Sequence, residues 1–339
     1  MTGRDTLNHP IPYFPDVETI PPDEEEDIQQ VIAVMRELLA RDERASGLKR
    51  RDVHVKSHGA PLAQFQVLPG LPEQLQQSLF AEAGHYSALL RFSSSSPWPK
   101  PDAVPDARGV AIKIQGIPGD AVQDFIMINQ PAFIARNVKD YLRIQRARLQ
   151  PTTAIQTLTG GNWDPRQWHW REILTTANLL TQIPRHPACQ TYYSMVPIRF
   201  GNFIVKYRLR LLSRLPATSF RLFRELATHT DAFRIALAET LRTTALTFEF
   251  QVQLQTNPRT MPIEDASVIW PEAKSPFQTV AHVLVPRQEL ESTPQGLGDG
   301  LSFSVWNAMS DHRPLGGINR VRKTAYEVSA AWRGLRPHP

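Results

Sequence analysis

The hydrophobic pattern changes period after Gly47, and that switch constrains the fold more than any other feature. Upstream, Ile28, Val31, Ile32, Met35, Leu38 and Leu39 recur at helical spacing. Pro21 and Pro22 lead into the acidic run Asp23 to Asp27, which is how a helix starts. The spacing therefore predicts an amphipathic helix over 23–43. Downstream, short alternating stretches rich in β-branched and aromatic residues are separated by Gly and Pro, the signature of strands. They fall at 52–57, 61–68, 88–94, 109–115, 124–129, 201–212, 245–255 and 279–286. Further helices are expected over 166–182 and 219–241. A third, interrupted by Pro314, Gly316 and Gly317, is expected over 302–336. Eight strands can close on themselves and leave no exposed edge. The expectation is an α+β chain: a closed eight-stranded antiparallel β-barrel with surrounding helices. Residues 1–22 read as an N-terminal arm and 23–339 as one domain.

Composition removes several function classes. The one cysteine, Cys189, cannot form an internal disulfide, a cysteine zinc site or an iron–sulfur cluster. The first twenty residues lack an apolar core segment, so no secretory signal is expected. Charges interrupt every apolar run, so no stable membrane insertion is expected and the chain reads as cytoplasmic. The formal net charge is +5, but acids and bases are interleaved. This describes a mildly basic surface and argues against a nucleic-acid partner.

Five segments carry side chains able to do chemistry. Alternation on a strand would put His54, Lys56 and His58 on one face of the first segment. A rim histidine, or a metal site built on His54 and His58, are both open readings there. Arg91-Phe92-Ser93 places an arginine and a hydroxyl on one side of a strand end: a polar terminus, or an anion site beside a hydroxyl that orients a base. Asp106-Ala107-Arg108-Gly109-Val110-Ala111-Ile112-Lys113 reads as a turn feeding a strand. Asn129 follows an apolar strand, as a turn residue or as an amide aimed into a pocket. Arg322 and Tyr326 lie one helical turn apart, and a guanidinium beside a phenol favours the phenolate, a metal ligand.

In this order, the segments resemble the catalase superfamily in a minimal core form, and the resemblance covers roughly residues 50–335. It is carried by His54 with Arg51 before it, Arg91-Phe92-Ser93, and Asp106-x-Arg108-Gly109-x-Ala111-x-Lys113. The stretch around Asn129, Pro131 and Phe133, then Tyr141, Phe248-Glu249-Phe250-Gln251-Val252-Gln253, Arg322-x-x-x-Tyr326 and Arg333 complete it. The resemblance implies haem b, held in the barrel interior, with Tyr326 as the iron ligand. It implies His54, Ser93 and Asn129 as catalytic residues. Arg51, Arg91, Phe133, Tyr141, Arg322 and Arg333 would line the cofactor. The implied activity is that of a haem peroxidase or catalase acting on hydrogen peroxide or organic hydroperoxides with a small organic reductant. One departure stands out: aligned without gaps from Asp124 to Pro131, Ile128 occupies the place of the family's catalytic asparagine, and Asn129 falls beside it. Two alternatives remain, an enzyme that rearranges fatty-acid hydroperoxides and a barrel that binds haem or lipid without turnover. A homodimer is compatible with this reading.

Overall fold

A computed structural model describes residues 9–149, 164–167, 170, 173, 184–215, 222–290 and 300–335. Helix α1 (Glu24–Ser46) opens with four acids in its first turn and ends on Gly47, whose φ of 69° only a residue without a side chain adopts readily. Among the described residues ten strands follow: β1 (Ser57–Gly59), β2 (Leu62–Val67), β3 (Gly84–Ser94), β4 (Arg108–Ile117), β5 (Ala121–Ile128), β6 (Tyr192–Tyr193), β7 (Ile198–Phe200), β8 (Phe203–Leu211), β9 (Leu246–Leu254) and β10 (Gln278–Val285). Eight form an antiparallel ring in the order β3-β2-β10-β9-β8-β6-β5-β4, closed by pairing of β3 with β4. The short strands β1 and β7 attach to β3 and β8.

Strict alternation fills the ring. Phe65, Phe92, Phe125, Tyr207, Phe248 and Phe250 point inward and are almost fully buried. The rings of Phe125 and Phe250 lie 4.6 Å apart, and those of Phe65 and Phe250 lie 5.4 Å apart. Each such ring contributes about 2 kcal/mol of burial. Side chains therefore fill the barrel, as in other eight-stranded barrels. This corrects the expectation that the interior holds a cofactor: any large ligand must lie against the outer wall.

Helices cover that wall. Ile28, Val31, Ile32, Met35 and Leu39 of α1 pack with Val138 and Leu142 of α2 (Val138–Leu149) and Val321 of α5 (Gly317–Trp332). The helix expected over 219–241 is two helices, α3 (Leu222–Thr228) and α4 (Ala232–Thr243). The one expected over 166–182 falls largely outside the described residues, apart from a short turn at Pro165–Gln167. The C-terminal helix starts only at Gly317. Gly316 has φ 86°, and a Cβ there would stand 2.6 Å from the Ile263 carbonyl oxygen, so the chain must turn before the helix begins. Among the described residues, no helix is long and apolar enough to cross a membrane.

Candidate functional site

The strand expected over 52–57 does not form. Regular pairing begins only at Ser57, and His54 sits at φ 57°, in the left-handed region that costs a non-glycine residue roughly 1 kcal/mol. The neighbouring β3 end holds it there: the His54 amide donates to Ser95 O at 3.2 Å, and Arg91 Nη2 donates to His54 O at 3.0 Å. Two residues on, the Ser94 amide donates to Lys56 O at 3.0 Å. Sequence alternation could not foresee this, because the geometry is imposed by contacts about forty residues away.

The departure from strand geometry separates the three side chains assigned to one face. His54 Nδ1 lies 2.9 Å from Ser93 Oγ, on the outer face of β3. His58 Nε2 lies 2.8 Å from Ser94 Oγ, which points the opposite way, and the His58 ring is buried against Phe233. Lys56 is buried in an ion pair with Asp102 at 2.7 Å. The two histidines therefore do not form a metal site. Among the described residues, no group of three or more metal-ligating side chains is present.

The register of the wall gives each residue of the Asp106 segment a task. Asp106 accepts from Ser95 Oγ at 2.6 Å and from the Ser96 amide at 3.0 Å, fixing the loop after β3. Arg108 donates to Ser94 Oγ and, at 3.1 Å, to the carbonyls of Asp102 and Val104. Gly109 lies under the His54 ring: a Cβ there would stand 2.5 Å from Cε1, so only glycine admits the imidazole. Ala111, one step along the same face, keeps that surface low. Lys113 pairs with Asp124 at 2.7 Å. Asp124 also accepts from the Ser304 amide and Asn307 Nδ2, clamping residues 304–307 to the barrel.

On this outer face, Ser93, Gly109, Ile128 and Tyr193 lie abreast, and Arg91, Ala111 and Ile126 form the next row. Ile128 is thus the β5 side chain beside His54. Asn129 is turned away: its Oδ1 accepts from the Arg108 amide at 2.8 Å, and its Nδ2 donates to Gln190 at 3.3 Å. The amide fastens the β4–β5 end, and the structure does not bring it to His54. Leu89, Ile126, Phe303 and Val305 continue the floor as an apolar cluster, against which Ala111, Trp306 and Tyr326 pack. Arg322 Nη2 donates to Tyr326 Oη at 3.1 Å, within α5.

Tyr141, on α2, stacks obliquely on Phe133 at 5.6 Å, and burial pushes its phenol up to about 12. Arg51 donates to Leu301 O at 2.8 Å, and Arg333, just past the end of α5, donates to Ser329 O at 3.2 Å. His54 is pushed down to about 3, first by burial and then by the positive charges of Arg91, Arg51 and Arg322. Its ring is therefore neutral in any physiological buffer. The chain thus presents a neutral, hydroxyl-oriented imidazole on a low apolar floor, with a guanidinium-bonded phenol packed on the same floor.

No family model matches the sequence, and no curated protein matches it. Solved structures do. A fungal catalase superposes with TM-score 0.64 at 14% identity, over 88% of this chain and 61% of that one. Catalase A from Saccharomyces cerevisiae gives 0.65 at 14% identity, over 88% and 63%. A bacterial catalase gives 0.64 at 14% identity, over 98% and 64%. The chain has a catalase-like fold. It spans less than two thirds of the length of each of these catalases. The catalase-like barrel accounts for why weak sequence motifs far apart in the chain, at His54, Ser93, Gly109 and Tyr326, meet on one wall. The residues sequence reasoning missed are Ser94 and Asp102, which with His58, read there only as a possible metal ligand, brace the His54 loop from behind. Their signal was faint: a second serine and an aspartate in a Pro-rich loop.

Proposed function

We propose that the protein is a haem-dependent peroxidase or catalase acting on hydrogen peroxide or organic hydroperoxides. One observation carries this reading: a neutral His54 fixed by Ser93 over Gly109, on the same apolar floor as the Tyr326–Arg322 pair. The donor set fits a haem. Gly109 and Ala111 leave a low surface for a flat ring, Tyr326 offers a phenolate ligand, and Arg322 places positive charge beside that oxygen. Arg51, Arg91 and Arg333 would hold the cofactor's carboxylates, since guanidinium groups pair bidentately with them. Phe133 and Tyr141 would cover the ring. Haem b bound there supplies the redox chemistry.

The chain's own residues manage protons and water. With its Nδ1–H donated to Ser93, His54 keeps a free electron pair at Nε2. That nitrogen takes the proton of a hydroperoxide and returns it to the far oxygen, which leaves as water or an alcohol. Leu89, Ile126, Phe303 and Val305 keep water from the reacting centre. Ile128 beside His54 offers no second donor, which favours a hydroperoxide with one apolar end. The same observation supports the second reading, rearrangement of fatty-acid hydroperoxides, which yields product without consuming a reductant.

The test is an absorption spectrum of the full chain supplied with haem, wild type beside Tyr326→Phe. A Soret band that shifts in the variant supports the assignment. Loss of peroxide consumption in His54→Ala, with the Soret band kept, supports the role of the imidazole. A wild type that binds no haem overturns the proposal.

A further inference from the structure

Away from the His54 floor, the barrel wall carries a cavity of about 170 Å³. It lies on the outer face of β8 and β9, under residues 262–277. Tyr193, Trp270 and Phe277 supply aromatic walls, Gln253 an amide, and Lys206 its one lysine. Register fixes its position relative to the first site. Gly109 pairs with Ile128, and Ile128 pairs with Tyr193, so Tyr193 projects from the same face two strands from the glycine under His54. Two strand spacings amount to about 10 Å.

Lys206 is the informative residue. It is only 4% exposed. Its amine donates to Val268 O at 2.9 Å and lies 5.2 Å from the centre of the Trp270 ring. Among the described residues it has no carboxylate within ion-pair distance. Asp265 acts on it only at longer range and is engaged with Ser267; Glu272, at the cavity edge, is held by Arg208 at 3.0 Å. Tyr193 is the other titratable side chain facing the cavity, since Tyr207 turns its ring into the barrel against Phe125 and Phe250. Arg208 stacks on Phe277 at 3.9 Å. A buried ammonium without a counter-ion is costly, and an anion supplied by a ligand relieves that cost. Burial accordingly pushes Lys206 down to about 7.

We propose that this cavity binds a planar aromatic acid of the hydroxybenzoate class, its acidic oxygen on Lys206 and its ring among Tyr193, Trp270 and Phe277, as the electron donor of the peroxide reaction. The proposal rests on the peroxidase reading for the donor's role but not for its binding. The balance is simple: one hydroperoxide and two phenols give one alcohol, one water and two phenoxyl radicals. Each phenol loses one electron and one proton, and the O–O bond accepts both electrons.

Calorimetry with 4-hydroxybenzoate on the haem-free full chain tests the site. An anion at Lys206 raises its proton affinity, so binding at about pH 8 takes up close to one proton per ligand, read by comparing buffers of different ionisation heat. At about pH 6, where the amine is already charged, uptake vanishes. Lys206→Met removes a buried charge and shortens the unbranched side chain by one atom. It abolishes the uptake and weakens binding at least roughly tenfold, as expected for a charge-assisted hydrogen bond. Binding without proton uptake, or uptake retained in the variant, overturns the site.

The donor role is read on haem-loaded protein. Lys206→Met raises the KM for 4-hydroxybenzoate while leaving kcat and the oxidation of a dye too large for the cavity unchanged. An unchanged KM overturns the donor role. If neither donor is oxidised, the peroxidase reading fails as well, while the calorimetric result for the site stands.

Discussion

Lowering the pH from about 8 to about 5 should destabilise this protein through three buried histidines, His58, His186 and His312. Their exposures are 1%, 4% and 0%. In each, burial is the main cause that holds the ring below its ordinary 6.5, to about 4 for His186 and His312 and well below 6.5 for His58. The unfolded chain binds protons at these sites as pH falls through 6.5, while the folded chain binds none until about 4. Stability therefore falls over that window, by up to about 1.4 kcal/mol per pH unit for each histidine. At about pH 5 the loss is roughly 2 kcal/mol for each of His186 and His312, about 4 kcal/mol together, and His58 adds in the same direction. Asp102 and Asp124, whose carboxyls burial holds above their ordinary range, take up protons in the folded state and work the other way. These carboxyls subtract from the loss while His54, held down to about 3, adds to it; the loss is a large share of the whole stability of a typical domain, roughly 5–15 kcal/mol. Urea titrations followed by circular dichroism at several pH values would measure it. His312 packs against Phe80 and Phe200, so His312→Leu should remove its own share of the loss, roughly 2 kcal/mol at about pH 5. A stability that is flat or rising between pH 6.5 and 5 would refute the argument.

Two further outcomes follow from the site and its frame. Gly109→Ala should leave the fold intact but push the His54 ring off its seat, because the new methyl would stand 2.5 Å from Cε1. Peroxide consumption per bound haem should then fall at least roughly tenfold, a misplacement cost; retained activity would deny His54 its position. Arg320 joins Glu18, Glu24 and Glu264 at 2.5–2.8 Å, tying the arm and α1 to α5. Arg320→Met should leave the buried Glu24 without its cation, while Glu18 keeps Arg313 and Glu264 its backbone amides, and cost about 3 kcal/mol, read as a lowered Tm.

The strands were legible because burial on one face writes a period of two into the sequence. Phe65, Phe125, Phe248 and Phe250 each mark an inward position, and seven of the expected strands form with bounds a few residues off; the eighth, over 52–57, does not, and the ring is completed instead by Tyr192–Tyr193, too short to write a period into the sequence. Helix α1 was legible for the same reason, through Ile28, Val31, Ile32, Met35 and Leu39. The break between α3 and α4 and the late start of α5 at Gly317 were not. Those boundaries depend on close approaches such as Gly316 to Ile263, which no local pattern records.

The sequence by itself determined the chemistry on offer: an imidazole, a hydroxyl, several guanidiniums and a phenol, on segments ordered as in the catalase superfamily. It also determined that the segments between them alternate strongly enough to form a barrel. Tertiary structure decided which face each group uses. The barrel interior is filled by aromatic rings, so the site lies outside. His54 leaves strand geometry because Ser95 and Arg91 bind its backbone, and His58 then goes to the opposite side of β3. Asn129 is turned to Arg108 while Ile128 faces the imidazole, because a step of one residue along a strand reverses the face. Lys206 shows the same division: the sequence supplied an ordinary lysine on an alternating strand. Only the closing of residues 262–277 over β8 buried it beside Trp270 without a counter-ion.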